Sequence, residues 1–369
     1  MKVALIVPGG VDRGGEERVI PCLLWMIERL ARQHEVHVFA LRQEPRPAHY
    51  KLLGAQVHNA GARPRRARLL AQFIREHRRG RFYVVHAIWA APPGVLAAVL
   101  GALLGIPVLL RLTGGDLCSL PEIRYGQRST WRGRAWLRWA VRGAARITVP
   151  SRTLQAAAAV QGIQTERLPW GVATDRWPPA PPRARELDRP ARLLFVGTLN
   201  KVKDPTTLVR AAEQLRTLGV SFQLDVVGED LTESAVAHLA RRLGLDDCTT
   251  FHGFQPQARV RSLMRGADLL LVTSLHEADP IVALEAAVSG TPIVGTAVGH
   301  LLDWAPEAAV VVPPGDPEAL AAAAASLLAQ DDRRMEIARA AQARALEEDM
   351  DHSAARVLQI YDELIDSST

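Results

Sequence analysis

Along almost the whole chain, short β-branched and Leu-rich runs alternate with longer helical patterns, and the alternation starts twice. Runs at 2–7, 35–41, 82–86, 107–111 and 146–149 form one series, and runs at 192–197, 222–227, 269–272, 292–294 and 309–312 form a second. Such alternation dictates a parallel sheet, because each parallel strand needs a crossover and the crossover helices cover the sheet faces. Between Pro169 and Pro190 the periodicity stops, and Trp177, Pro178, Pro179, Pro181 and Pro182 give the stretch the composition of a linker. The pattern predicts two doubly wound domains, one over 1–172 and one over 191–352, joined by a linker over 173–190. Ala-, Arg- and Glu-rich helices close the chain, from 317 to 347 and from 353 to 366, and the segment 353–369 is expected to pack back on the first domain.

A chain of 369 residues, 48% apolar and 23% charged, is long enough for two real cores and too apolar for disorder. Cys22, Cys118 and Cys248 are odd in number and far apart, which suggests neither a disulfide framework nor a zinc site. That cysteine usage makes a cytoplasmic protein the expectation, and the first apolar segment, Val3–Val7, which meets Pro8 and two glycines and is too short for a signal-peptide core, reads as a first strand. The uncharged run 87–110 has the length of a membrane span, but Pro92, Pro93 and Pro107 divide it into a strand end, a helix and a second strand.

Charge is split along the chain. Residues 1–187 hold 29 Lys and Arg against 12 Asp and Glu, while residues 188–369 hold 16 against 27, a balance of +17 and −11. The first half therefore either faces something anionic or attracts the second half. Residues 128–146 set Arg128, Arg132, Arg134, Arg138 and Arg142 among Trp131, Trp136 and Trp139, the composition of a basic helix for an anionic membrane surface or of a helix packing its tryptophans inward. The Arg-rich segments at 63–81 and 124–146 match no nucleic-acid module, and no nucleic-acid partner is expected.

Open α/β sheets bind ligands beyond the carboxyl ends of their strands. After the first strand, Pro8 to Glu17 holds Gly9, Gly10, Gly14 and Gly15, which either let backbone amides approach an anion or simply make a tight turn. The loop Gly197-Thr198-Leu199-Asn200-Lys201-Val202-Lys203-Asp204-Pro205 opens the second domain. The chain has only four lysines, at 2, 51, 201 and 203, and two of them lie in this loop. A compact ammonium beside a helix start suits a diphosphate, and a solvated charge pair is the plain alternative. After the apolar run ending at Val272, His276-Glu277-Ala278-Asp279-Pro280-Ile281-Val282-Ala283-Leu284-Glu285 places Pro280 at a helix start, with free first-turn amides. Glu277 then lies in the loop and Glu285 more than one turn in, flanked by Ala283, Leu284, Ala286 and Ala287, so its carboxylate needs partners.

The two glutamates with seven residues between them, Pro280 among those, and Gly290-Thr291-Pro292-Ile293-Val294 after them resemble the donor-site signature of retaining family 4 glycosyltransferases. Val85-His86-Ala87, Gly114-Gly115-Asp116, Gly171-Val172, Val196-Gly197, Val227-Gly228 and Val312-Pro313-Pro314-Gly315-Asp316 extend the match over nearly the whole chain. The resemblance implies the GT-B fold, two Rossmann-like domains facing across a cleft, and transfer of a sugar from a nucleotide-diphosphate donor with retention. It implies that Lys203 holds the donor diphosphate, Glu285 the ribose hydroxyls and Glu277 the moving sugar, with Gly14, Gly15, Gly197, Thr198, Asn200, Pro280, Ile281 and Val282 around the donor. Asp116 is expected as an acceptor-side or sugar-side contact at the reacting centre or as a turn stabiliser, and His86 and Thr113 on the acceptor side.

No cofactor and no metal are expected, since the one Asp-x-Asp, Asp349-Met350-Asp351, reads as a helix boundary. The acceptor is expected to be a glycan or lipid-linked, which would place the protein at the inner face of a membrane as a peripheral component. Thr113 stands where the family commonly has His, and Thr198 where it has Arg, with Lys201 near enough to replace that charge. These departures leave a non-catalytic sugar- or nucleotide-binding relative as the alternative.

Overall fold

The computed structural model describes residues 1–367, so the last two residues of the expected 353–369 segment lie outside the described residues. The chain divides into two units, one holding residues up to Trp170 and those from Met350 onward, the other Gly171–Asp349.

Unit 1 runs β1 (Lys2–Val7), α1 (Pro21–Ala31), β2 (Glu35–Ala40), β3 (Ala48–Leu52), β4 (Ala55–Asn59), α2 (Arg65–Arg79), β5 (Val84–Ile88), α3 (Val95–Leu104), β6 (Val108–Arg111), α4 (Trp131–Arg142), β7 (Arg146–Val149), α5 (Arg152–Ala159) and β8 (Glu166–Arg167). Its sheet order is β3-β4-β2-β1-β5-β6-β7-β8. Unit 2 runs β9 (Ala191–Val196), α6 (Pro205–Thr217), β10 (Phe222–Val227), α7 (Ala235–Arg242), β11 (Thr249–Gly253), α8 (Gln257–Gly266), β12 (Leu269–Val272), α9 (Ile281–Val288), β13 (Ile293–Thr296), α10 (Gly299–Trp304), β14 (Val310–Val312), α11 (Pro317–Leu328) and α12 (Asp331–Glu347). Its order is β11-β10-β9-β12-β13-β14, all parallel. The final helix, α13 (Met350–Asp366), belongs to unit 1, where Arg29 of α1 bonds Asp351 at 3.0 Å and Arg356 joins Glu166 and Glu363.

Several elements differ from the pattern read in the sequence. β3 and β4 form an antiparallel hairpin that the expectation of purely parallel sheets omits. Its turn uses Leu53 and Gly54 at φ 49° and 86°, and a leucine in the left-handed region is not a turn signal. The edge strands β8 and β11 lack an apolar run and so stand outside that pattern. The helix expected over 317–347 is two helices, α11 and α12, broken at Ala329–Gln330 without Gly or Pro. The uncharged run 87–110 divides as expected into the end of β5, a π-helical turn at 90–94, α3 and β6. Among the described residues no helix is long and apolar enough to cross a membrane.

The Pro-rich stretch lies along unit 2. Trp177 is buried and its indole donates to the Ser289 hydroxyl at 2.8 Å, while Arg183 and Arg189 pair with the buried Asp268 at 3.1 and 3.0 Å. Gly290 takes φ +72°, and a Cβ there would stand 2.5 Å from the Pro182 nitrogen, so only glycine lets the stretch approach.

Candidate functional site

Each sheet reverses its strand order once, between β1 and β5 in unit 1 and between β9 and β12 in unit 2. A doubly wound sheet opens a crevice at such a point, because the loops leaving the two central strands diverge to opposite faces. In unit 2 those loops are 197–204 and 273–280, the two that hold the lysines and the first glutamate.

The two loops are laced together. The Asn200 side-chain oxygen accepts from the amides of Val202 and Lys203, both at 3.1 Å, which curls the chain so that Lys203 points back along β9. The Leu275 amide donates to the Val202 carbonyl at 2.8 Å and the Thr273 hydroxyl to the Lys203 carbonyl at 2.7 Å. Asp204, at φ 45°, caps α6 by accepting from the Thr207 amide at 3.3 Å, and Pro205 follows at the first helical position. Gly228 at the end of β10 is required: a Cβ there would stand 2.0 Å from the Gly197 carbonyl oxygen. Thr198 is half-buried in the same turn, and Lys201 is exposed without an ion pair among the described residues.

Lys203 Nζ pairs with Glu277 Oε1, and the Ser274 hydroxyl donates to the same oxygen at 2.8 Å. α9 begins at Ile281, one residue later than the expected start at Pro280, which is its N-cap and carries no side-chain cap bond. Its first turn has no acidic residue, so the Ile281 and Val282 amides form an uncapped positive end. Glu285 is 7% exposed, and burial pushes its carboxyl up to about 8. Among the described residues its side chain has neither an ion pair nor a hydrogen bond, so a ligand hydroxyl is a partner it lacks. Buried His300 donates through Nδ1–H to Asp279 Oδ1 and packs against Trp304 at 4.6 Å between ring centroids. That pairing, and the hold of Ser274 on Glu277, were not visible in the sequence because each joins a loop residue to a side chain of no marked type.

In unit 1 the Gly-rich loop uses its own amides. Gly10 and Val11 donate to the Gln43 side-chain oxygen at 2.7 and 2.9 Å, Gly14 to the Asp12 carboxylate at 3.0 Å and Gly15 to the Asp12 carbonyl at 3.0 Å. Asp116 is buried, accepts from the Ala90 and Thr113 amides at 3.1 and 3.0 Å, and is pushed by burial up to about 7. Those bonds give it the turn-stabilising arrangement. His86 is corrected from an acceptor-side position: at 1% exposed it bonds Tyr361 Oη of α13 at 2.9 Å, and burial, then Arg111, lowers it to about 3. Enclosed in the core, it reaches no surface. Thr113 is buried beside Asp116. Among the described residues no group of three or more His, Cys, Asp or Glu is placed to hold a metal ion.

Residues 181–344 match the family described as glycosyl transferases group 1, and residues 19–169 match the glycosyl transferase 4-like domain. The chain is 32% identical over 217 residues to the D-inositol 3-phosphate glycosyltransferase of Corynebacterium jeikeium, covering 53% of this chain and 51% of that one. It is 33% identical over 278 residues to the 2-deoxystreptamine N-acetyl-D-glucosaminyltransferase of Streptomyces fradiae, covering 70% and 65%. It thus spans about half the length of the inositol-phosphate relatives it matches. Among solved structures it superposes on sucrose-phosphate synthase from Thermosynechococcus elongatus with a TM-score of 0.83 at 21% identity, over 99% of both chains. The Anabaena protein HepE, solved with UDP and glucose, superposes with a TM-score of 0.77 at 18% identity, over 98% of this chain and 100% of that one. With both halves matched and both Rossmann-like sheets in place, the chain belongs to the family 4-type glycosyltransferases and has the GT-B fold.

Proposed function

We propose that the chain transfers a sugar from a nucleotide-diphosphate donor to an acceptor hydroxyl with retention of configuration and without a metal ion. The observation that carries this reading is the set of groups at the unit 2 strand reversal: one ammonium, an uncapped helix start, and two carboxylates in different surroundings. Lys203 and the Ile281 and Val282 amides hold the diphosphate, Gly197, Thr198 and Asn200 shape the turn beside it, and Glu285 takes the ribose hydroxyls. Glu277, released from Lys203 as the diphosphate enters, takes a hydroxyl of the sugar. When the C1–O bond breaks, its electron pair stays on the diphosphate, where Lys203 and the amides stabilise it; the acceptor oxygen bonds C1 on the same face and its proton passes to the departing oxygen. Fixed positive charge from the protein makes a metal unnecessary for that step.

HepE was solved with UDP and glucose, so UDP-glucose is the first donor to test. Slow release of UDP from UDP-glucose, lost in Glu277→Ala and undiminished by a chelator, supports the reading. UDP that binds without any release, across a panel of sugars, favours a non-catalytic relative, the reading that Thr113 and Thr198 keep open.

A peripheral membrane position, at the cytoplasmic face, is favoured by one feature of α4. Trp131 and Trp139 are 72% and 55% exposed, and Trp136 is half-buried under the Arg66 guanidinium at 5.1 Å. Arg128, Arg134, Arg138 and Arg142 line a groove of about 670 Å³ floored by Leu117 and Leu137. Exposed indoles beside guanidiniums suit an interface with anionic lipid, and hence a lipid-linked acceptor. Sedimentation with anionic vesicles that weakens with salt is the expected result; no sedimentation at low salt contradicts it.

A further inference from the structure

Two loops of unit 2 meet beside Glu277. One is 273–280, which carries it, and the other is the short turn that leads from β13 into α10. They are stitched together on both sides of the glutamate. Before it, the Thr296 hydroxyl at the end of β13 donates to the Ser274 carbonyl at 2.6 Å, and the Ser274 hydroxyl in turn holds Glu277. After it, His300 of α10 donates through Nδ1–H to Asp279 Oδ1. Between the two stitches the backbones touch: Gly299 takes φ +50°, and a Cβ there would stand 2.9 Å from the Ala278 carbonyl oxygen and 3.0 Å from Pro280 Cδ.

The Asp279–His300 bond is a costly way to join two loops. The side chains are 2% and 3% exposed, and a carboxylate and an imidazole withdrawn from water lose hydration that an apolar pair of the same size would not. The imidazole is also left incomplete, since Nε2 is buried with no hydrogen-bond partner among the described residues. The ring proton therefore lies on Nδ1, and only one orientation of the ring serves Asp279. Trp304, one turn on along α10, packs on the ring and fixes that orientation. What a buried hydrogen bond supplies over an apolar contact is direction: it sets where Asp279 stands rather than merely keeping it near. Glu277 is two residues away, on a loop whose other end is fixed by Thr296, so its carboxylate goes where Asp279 puts the chain. Glu285 does not depend on the pair in the same way, because α9 is packed by its own buried Ala283, Leu284, Ala286, Ala287 and Val288.

We propose that Asp279 and His300 are positioning residues for the transferred sugar: their buried bond sets the Glu277 carboxylate against a sugar hydroxyl and leaves the contacts to the nucleotide unchanged. The role given to Glu277 rests on the glycosyltransferase reading; the brace on its loop does not.

The test compares the full wild-type chain with His300→Phe, His300→Asn and Asp279→Leu/His300→Phe by denaturant midpoint, by calorimetric affinity for UDP and for UDP-glucose, and by release of UDP from UDP-glucose. His300→Phe keeps a ring against Trp304 but strands the buried Asp279 carboxylate, so its midpoint falls; the double variant removes both polar groups and recovers it. The expected result is a double variant as stable as wild type that binds UDP within about twofold of it, yet releases UDP at least about tenfold more slowly. His300→Asn, whose amide can donate from the place of Nδ1, regains most of that turnover. Recovered stability with wild-type turnover makes the pair purely structural and overturns the proposal, as does a UDP affinity that falls in step with turnover. A wild type that releases no UDP contradicts the transfer reading, and the brace is then judged on affinity alone. UDP-glucose binding weakened in the double variant while UDP binding holds supports it; UDP-glucose binding equal in both proteins, or absent from both, overturns it.

Discussion

Both sheets reverse strand order once, yet the loops there differ: the unit 1 loop holds Gly9, Gly10, Gly14 and Gly15, whereas the unit 2 loops hold only Gly197, and the two ends of strand carry different chemistry. At β9 and β12 the single ammonium of Lys203 is balanced by Glu277, beside a second, buried carboxylate and a bare helix start. At β1 and β5 a cavity is lined by three guanidiniums, Arg18, Arg42 and Arg65, of which Arg18 pairs with Asp12, and the amides of Gly10, Val11, Gly14 and Gly15 are already used. A balanced site trades partners when a ligand enters, which suits a diphosphate whose charge changes during reaction; an unbalanced one suits a group that arrives and leaves with the same charge. Topology alone would not separate these roles, since it is shared. The side chains do.

The largest effect expected from breaking this contrast is on turnover. Lys203→Ala lowers the rate about a hundredfold, on the order of 3 kcal/mol of transition-state stabilisation, with a smaller loss in nucleotide affinity. Steady-state release of UDP from UDP-glucose measures it.

Next is Glu285. Its carboxyl, raised by burial to about 8, binds its proton more tightly folded than unfolded, so it costs stability as pH rises from about 4.5 toward 8 and costs nothing below that window. Glu285→Gln therefore unfolds like wild type at pH 4 and is more stable by about 4 kcal/mol at pH 8, in denaturant titrations without nucleotide. The same variant binds UDP more weakly. A pH-independent difference would mean that Glu285 is already paired.

Gln43→Ala strips the acceptor from two amides of the unit 1 loop, at a cost of about 1–2 kcal/mol in unfolding free energy. It leaves UDP affinity unchanged, because nothing in unit 2 depends on it. Smallest is Lys201→Ala, at roughly twofold or less in turnover, since an exposed cation without a partner contributes little; a loss matching that of Lys203→Ala would show that Lys201 supplies the charge absent at Thr198.

The legible part of this molecule was what a strand end or an odd residue announces. Lys203, Glu277 and Glu285 stood out because lysine is rare here and because carboxylates followed apolar runs. Both sheets followed from their buried central strands. Hairpin β3–β4 and strand β11 did not, since Leu53 in a left-handed turn and the half-buried Thr249–Gly253 carry no periodic signal. Pairings across loops were equally hidden: Gln43 with Gly10, His300 with Asp279, and His86 with Tyr361 join residues 33, 21 and 275 positions apart. Such contacts exist only once the sheet has brought the loops together, and they decided which amides and which imidazoles were available to a ligand.

The central claim is that the nucleotide diphosphate belongs to the β9–β12 reversal and not to the β1–β5 reversal. Calorimetric titration of UDP into wild type, Glu285→Ala and Arg42→Ala/Arg65→Ala tests it most directly. The account predicts that UDP binds wild type and the arginine variant alike, and binds Glu285→Ala about tenfold more weakly or worse. UDP affinity that falls in the arginine variant and holds in Glu285→Ala would contradict it.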